Sequence, residues 1–186
     1  MNVKIKYNSP VVLTFALFSL IVLLVDKLSD GQSTKLCFCV YKSALDDPLT
    51  YVRMFGHVLG HANLEHYVNN MLYILLLGPI LEEKYGSGKM LGMIMLTALV
   101  TGLINTFFFN TALLGASGVV FMMIMLTSMV SFKQGEIPIT MICVCVLYLG
   151  NEVITGVFTQ DNISQLTHVV GGICGGIFGW MMNKGK

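Results

Sequence analysis

Charge is what this sequence has least of. Lys, Arg, Asp and Glu make up only 11% of its 186 residues, with 11 basic against 10 acidic side chains and a formal net charge of +1. No Lys/Arg cluster is present, so a nucleic-acid surface has no electrostatic basis. His-Glu-x-x-His is absent. The run His57-x3-His61-x4-His66 comes nearest to a metal set, but its inverted form, from His61 through Glu65 to His66, is one residue too long, and no metal is expected. Gly86-Ser87-Gly88-Lys89 lacks the earlier Gly and the following Ser/Thr of a phosphate loop. The five cysteines are odd in number, and Cys37-Phe38-Cys39 and Cys143-Val144-Cys145 have one intervening residue rather than two. With Cys174 they read mainly as small apolar residues, and no cofactor is expected. An internal repeat and an intramembrane carboxylate for coupling are also missing, which argues against a small transporter.

What the chain does have is apolar length. At 55% hydrophobic residues, with 19 Gly and 13 Met, it is too apolar for a soluble domain of this size and reads as an all-α polytopic membrane protein. The 43 residues from Met90 to Phe132 carry no charge. As one helix they would run about 64 Å, twice a hydrocarbon core of about 30 Å, so they must form two spans, broken near Asn110-Thr111. Across the chain, six transmembrane helices are expected over 10–25, 63–81, 89–109, 115–132, 137–154 and 166–183, in a single membrane domain spanning 1–186. Pro10 and Pro138 stand at helix starts, where a missing N–H costs least. Lys4 and Lys6 before the first run resemble a signal peptide, but the run ends in Asp26-Lys27-Leu28-Ser29-Asp30 without a small-residue cleavage pattern, and an uncleaved first helix is expected. The interval 26–60 mixes Leu36, Phe38, Tyr41, Tyr51 and Phe55 with charges, as suits a long interfacial loop lying partly in the bilayer.

Orientation follows from the cations. With a cytoplasmic N-terminus, Lys4, Lys6, Lys84, Lys89, Lys133, Lys184 and Lys186 all lie inside, and the four outside fall in one loop that also carries acidic residues. His61, His66 and Asn70 at the start of the second segment, Ser117 at the start of the fourth and His168 at the start of the sixth then share one depth, in the outer third of the bilayer. Polar groups are costly there unless they face a protein interior or a water-filled cavity, which makes each a functional candidate.

Serine is a poor nucleophile unless a base takes its proton, and a neutral imidazole at about 2.6 to 3.2 Å can do so. Ser117 is the candidate nucleophile and His168 the candidate base. No Asp or Glu in the fourth or sixth segment is placed to orient His168, so a dyad is expected. The oxyanion of acyl transfer needs donors; the Ala116 and Ser117 amides, unpaired at a helix start, supply two, and His66 and Asn70, four apart on one helix face, add side-chain donors. Gly171-x3-Gly175 and Gly172-x3-Gly176 give the last segment small faces that let a neighbour approach closely. Taken alone they are ordinary packing glycines; standing directly after His168, they bear on the site.

At this point the residues closely resemble the rhomboid family of intramembrane serine proteases, from Pro48 to Trp180. The matching pieces are Arg53-Met54-Phe55-Gly56-His57, His61-x4-His66-x3-Asn70-Met71, Gly78-x3-Glu82-x3-Gly86, Gly115-Ala116-Ser117-Gly118-Val119-Val120-Phe121 and His168-x2-Gly171-x3-Gly175, in the family's order. The resemblance implies a compact six-helix bundle, with Ser117 as nucleophile, His168 as general base and His66 with Asn70 in the oxyanion hole. It further implies that Phe121 packs against the His168 ring, that His61 and Arg53 shape and anchor the first loop, and that Glu82 pins the loop after the second helix. One departure is Thr167, where the family usually has Ala. The implied substrates are transmembrane proteins, cleaved in or beside their spanning helix near the outer face of a prokaryotic plasma membrane with both termini cytoplasmic. The segment Gly156 to Ser164 borders the site, and the resemblance suggests a gate for lateral substrate entry there. The competing reading is a non-catalytic relative that binds transmembrane helices for folding or quality control; such a protein would be expected to lack Ser117 or His168, and both are present.

Overall fold

The computed structural model describes residues 4–130, 136–150 and 162–183. Helices occupy most of them: α1 (Pro10–Leu28), α2 (Pro48–Gly56), α3 (Leu64–Tyr85), α4 (Ser87–Phe108), α5 (Ser117–Ser128), α6 (Ile139–Val144), which runs on as a π-helical turn over Cys145–Leu149, and α7 (Asn162–Asn183). A second π-helical turn, Thr34–Phe38, follows α1. The ends of the helices expected over 115–132 and 137–154 fall partly outside the described residues.

Among the described residues, α1 and α4 are each long and apolar enough to cross a membrane unaided. α3 matches their length, but Glu65, His66, Asn69 and Asn70 at its start and Glu82, Glu83 and Lys84 at its end dilute its apolar run. Large apolar side chains line the outside as well as the core: Leu17, Phe18, Ile21 and Leu24 on α1 and Leu72, Leu75, Leu76 and Ile80 on α3 are all exposed. Helices apolar on every side suit lipid rather than water. The fold is that of an all-helical integral membrane protein, with Ile74, Leu81, Met90, Ile94, Met122, Met123 and Leu126 fully buried between α3, α4 and α5.

Most helix limits differ from the expected ones for local reasons. α1 begins at Pro10, yet the Ser9 side chain does not cap it. Instead the amides of Val11 and Val12 donate to the two carboxylate oxygens of Glu82, at 3.0 and 2.9 Å. A carboxylate at a helix N-terminus satisfies orphan amides and meets the positive end of the helix dipole. The Ser87 hydroxyl donates to the same carboxylate at 2.7 Å. With its charge used in this way, Glu82 stays inside α3, which runs to Tyr85 rather than ending at 81. One residue then joins α3 to α4: Gly86, at φ +87°, in the left-handed region that favours glycine. Within the interval 26–60, Asp47 accepts from the Leu49 amide at 3.0 Å and Pro48 opens α2, so a short helix lies inside the expected loop.

α5 and α7 make the closest helix pair. A Cβ on Gly171 would collide with the backbone of Gly118, and one on Gly175 with the backbone of Met122, whose Cα would be 3.0 Å away in each case. Gly176 differs, since its nearest obstacle is the Met125 side chain at 3.8 Å. The backbone contact therefore runs along Gly171 and Gly175.

Two outcomes follow for stability in a reconstituted bilayer. Glu82→Ala uncaps two amides of α1, that of Val12 buried and that of Val11 half-buried, and is expected to destabilise the protein by about 3 kcal/mol, measured by thermal or denaturant unfolding. Gly171→Ala and Gly175→Ala each force α5 and α7 apart at a cost of about 1 to 3 kcal/mol, whereas Gly176→Ala leaves stability within about 0.5 kcal/mol of the unmodified protein.

Candidate active site

α5 starts at Ser117, and the turn before it is shaped for close contact. Gly115 has φ +123°, and Ala116 stands as the N-cap, with its carbonyl accepting from the Val120 amide at 2.9 Å. The first amides of α5, beginning with Ser117, have no acceptor within their own helix and point out of its N-terminus. A Cβ on Gly115 would lie 2.7 Å from both Cε1 and Nε2 of His66, with Asn70 Nδ2 at 3.9 Å. Glycine is favoured here because φ lies in the left-handed region and the His66 ring lies directly over the turn, with Asn70 beside it.

α3 presents both of these residues from its first two turns. Asn63 caps the helix, its Oδ1 accepting from the His66 amide at 2.8 Å. Asn70 is buried, and its Nδ2 has no partner among the described residues. A buried donor left unpaired costs stability, so an Asn70 Nδ2 beside Gly115 is a donor held ready for an acceptor. His61 buttresses His66: the rings meet edge to face, with centroids 5.1 Å apart, while His61 Nδ1 faces the Leu59 carbonyl at 3.1 Å. The Tyr67 ring also meets His61 edge to face, with centroids 5.5 Å apart, and its hydroxyl donates to the Ala16 carbonyl of α1 at 3.1 Å.

α7 carries His168 against the start of α5. The Phe121 ring, one turn after Ser117, stacks on the His168 imidazole with centroids 4.4 Å apart and planes within 6°. Thr167 is buried, and its Cγ2 would stand 3.1 Å from a Cβ on Gly118. The departure from Ala thus places a methyl group in the α5–α7 seam beside the Ser117 turn.

The remaining expected residues lie away from this centre. Arg53, 5% exposed, donates through Nη1 to Asp47 at 2.9 Å and through Nε to the Leu36 carbonyl at 3.0 Å, and its guanidinium covers the Tyr41 ring at 4.7 Å. The Leu49 amide and the Arg53 guanidinium hold the Asp47 carboxyl below the usual carboxylate range. Arg53 thereby organises the loop between α1 and α2. Glu82 is sixteen residues along α3 from His66, about 24 Å at 1.5 Å per residue, so it acts on α1 and not on the site. Of the expected gate, residues 156–161 lie outside the described residues, and Asn162 to Ser164 belong to α7.

Three contributors carry no role in the sequence reading. His57 is fully buried, and its carbonyl accepts from the Gly115 amide at 2.9 Å. Thr101 on α4 meets His57 Nε2 at 3.2 Å. Asn105 donates to the carbonyls of Val40 and Thr111. The signal for Asn105 and Thr101 was a polar side chain inside an uncharged run. His57 stands in the Arg53-to-His57 motif, but nothing in the sequence shows that its backbone carbonyl holds Gly115.

A sequence profile described as the Rhomboid domain matches residues 48–185, which takes in α2 through α7. Because that span holds the Gly115–Gly118 turn, His66 and Asn70 above it and His168 beside it, and covers well over half of the chain, this protein belongs to the rhomboid family.

Proposed function

We propose that this protein is an intramembrane serine endopeptidase that cuts transmembrane proteins in or beside their spanning helix with a Ser117–His168 dyad. Rhomboid proteins are generally intramembrane serine proteases acting on transmembrane substrates, although relatives without activity exist. The observation that carries the reading is the buried Asn70 Nδ2, without a partner among the described residues, lying with His66 over the Gly115 turn at the amide-rich start of the helix that Ser117 opens. A helix-binding relative has no use for an unpaired donor at that point.

In this mechanism the Ser117 hydroxyl attacks the scissile carbonyl as His168 takes its proton. The oxyanion that forms accepts from the Ser117 amide and from Asn70 and His66, donors fixed in place before reaction. His168 returns the proton to the departing amine, leaving an acyl-Ser117. Water, deprotonated by the same imidazole, then releases the acid and restores the hydroxyl. The stacked Phe121 ring sets the plane of the imidazole, the task that a carboxylate performs in a triad. The chain is read as six spans with its N-terminus cytoplasmic and the site near the outer face. A substrate helix must unwind locally to offer a peptide bond, which favours small or helix-breaking residues around the cut.

Reconstituted with a panel of single-span substrates, the unmodified protein is expected to cleave and to react with a fluorophosphonate at Ser117. Ser117→Ala and His168→Ala should each lower cleavage by about 1000-fold or more, and Asn70→Ala by about 100-fold. Unchanged cleavage by either dyad variant overturns the dyad. If the unmodified protein neither cleaves nor reacts, the helix-binding reading replaces this one.

A further inference from the structure

The turn that leads to Ser117 has no helix of its own to hold it, and three ties fix where it lies. Val40 and Leu113 exchange backbone hydrogen bonds, at 2.9 and 2.8 Å. The His57 carbonyl holds the Gly115 amide at 2.9 Å. The third tie is a side chain: Asn105, one turn before the end of α4, donates through Nδ2 to the Val40 carbonyl at 3.1 Å and to the Thr111 carbonyl at 3.0 Å. A single carboxamide thus links α4, the first loop and the connection that runs to Ser117.

Asn105 is poorly suited to its own helix. Asparagine has low helix propensity, this one is 1% exposed, and its Oδ1 has no partner among the described residues. A leucine would favour α4 more. The gain that offsets this cost lies in the two donated bonds, and both go to backbone that frames the Ser117 turn. Asn183 offers the contrast. Its Nδ2 lies within reach of the Tyr85 hydroxyl, the Met129 carbonyl and the Gly179 carbonyl, at 3.3, 3.1 and 2.8 Å, but at the opposite ends of α3, α5 and α7.

We propose that Asn105 is a positioning residue. Its two bonds hold the Thr111–Gly115 connection against the first loop and so set where the Ser117 hydroxyl and the first amides of α5 stand relative to His66, Asn70 and His168. The catalytic part of this inference rests on the protease reading above; the positional part does not.

The test uses the full chain in lipid bilayers, with Asn105→Leu, Asn105→Gln and Asn183→Leu, at a temperature where all are folded. Asn105→Leu is expected to lower kcat and the rate of fluorophosphonate reaction by about 100-fold, the scale of a small misplacement of reacting groups, with KM within about twofold. Hydrogen exchange at the Leu113 and Gly115 amides should accelerate by about tenfold, confined to residues 38–41 and 109–117. Asn105→Gln, which keeps both N–H donors, should recover most of each loss. Asn183→Leu should lower the unfolding temperature and leave kcat, reaction rate and exchange over 109–117 unchanged. If Asn105→Leu does not fold, Asn105→Ala carries the same expectations. Unchanged exchange in Asn105→Leu, or in Asn105→Ala where it takes its place, overturns the proposal, as does an equal loss of kcat in Asn183→Leu, which would mean general loosening. Should the unmodified protein neither cleave nor react, the protease reading fails, and the exchange measurements alone decide the positional claim.

Discussion

Where the backbones of α5 and α7 meet, two carbonyls stand in the space that side chains would fill. Gly171 lies against Gly118 and Gly175 against Met122, and nothing larger than hydrogen fits at either contact. Lipid tails are as apolar as leucine, so helices in a bilayer gain little from hiding apolar surface from one another; close packing and polar ties must hold them together. This seam provides the packing. It also sets how closely the start of α5, where Ser117 stands, approaches the stretch of α7 that carries His168, three residues before Gly171. The Phe121–His168 stack and the Thr167 methyl both depend on that spacing.

Polar ties come mainly from the segment between α1 and α3. Arg53 gathers Asp47, Leu36 and Tyr41; Val40 pairs with Leu113; the His57 carbonyl takes the Gly115 amide. A region that reads as an interfacial loop is thus one wall of the site, its backbone carbonyls serving as fixed acceptors for the turn on the other side. The arrangement solves two problems together. Irregular backbone packed between helices must find internal partners, and the turn before Ser117 must be held without a helix of its own.

Class and family were legible because they rest on composition and on side-chain motifs. The uncharged run from Met90 to Phe132 spoke for a membrane, and the spaced His, Asn, Ser and Gly motifs spoke for the rhomboid family, to which the chain belongs. The overlap of His66 and Asn70 with Gly115 and the stack of Phe121 on His168 join residues that the motifs had already singled out. What stayed hidden was carried by backbone. No residue type announces that the His57 carbonyl will accept from Gly115, or that Val40 and Leu113 will pair across 73 positions of chain. The α2 helix was hidden for another reason: Asp47-Pro48 is a start signal, but nine residues of mixed polarity lack the apolar period of a span. Glu82 belongs to both groups, since its motif was visible while its hold on Val11 and Val12 depends on a long-range contact that only folding reveals.

Gly86 is the entire connection between α3 and α4. A one-residue joint has no slack, so the chain reverses within it and α4 starts where α3 ends. α3 bears His66 and Asn70 at one end of that hairpin and α4 bears Thr101 and Asn105 at the same end, about 22 to 30 Å from the joint at 1.5 Å per residue. Inserting or removing one residue in either helix would therefore turn His66 and Asn70, or Thr101 and Asn105, by about 100° about the helix axis relative to the joint, with no loop to absorb the change.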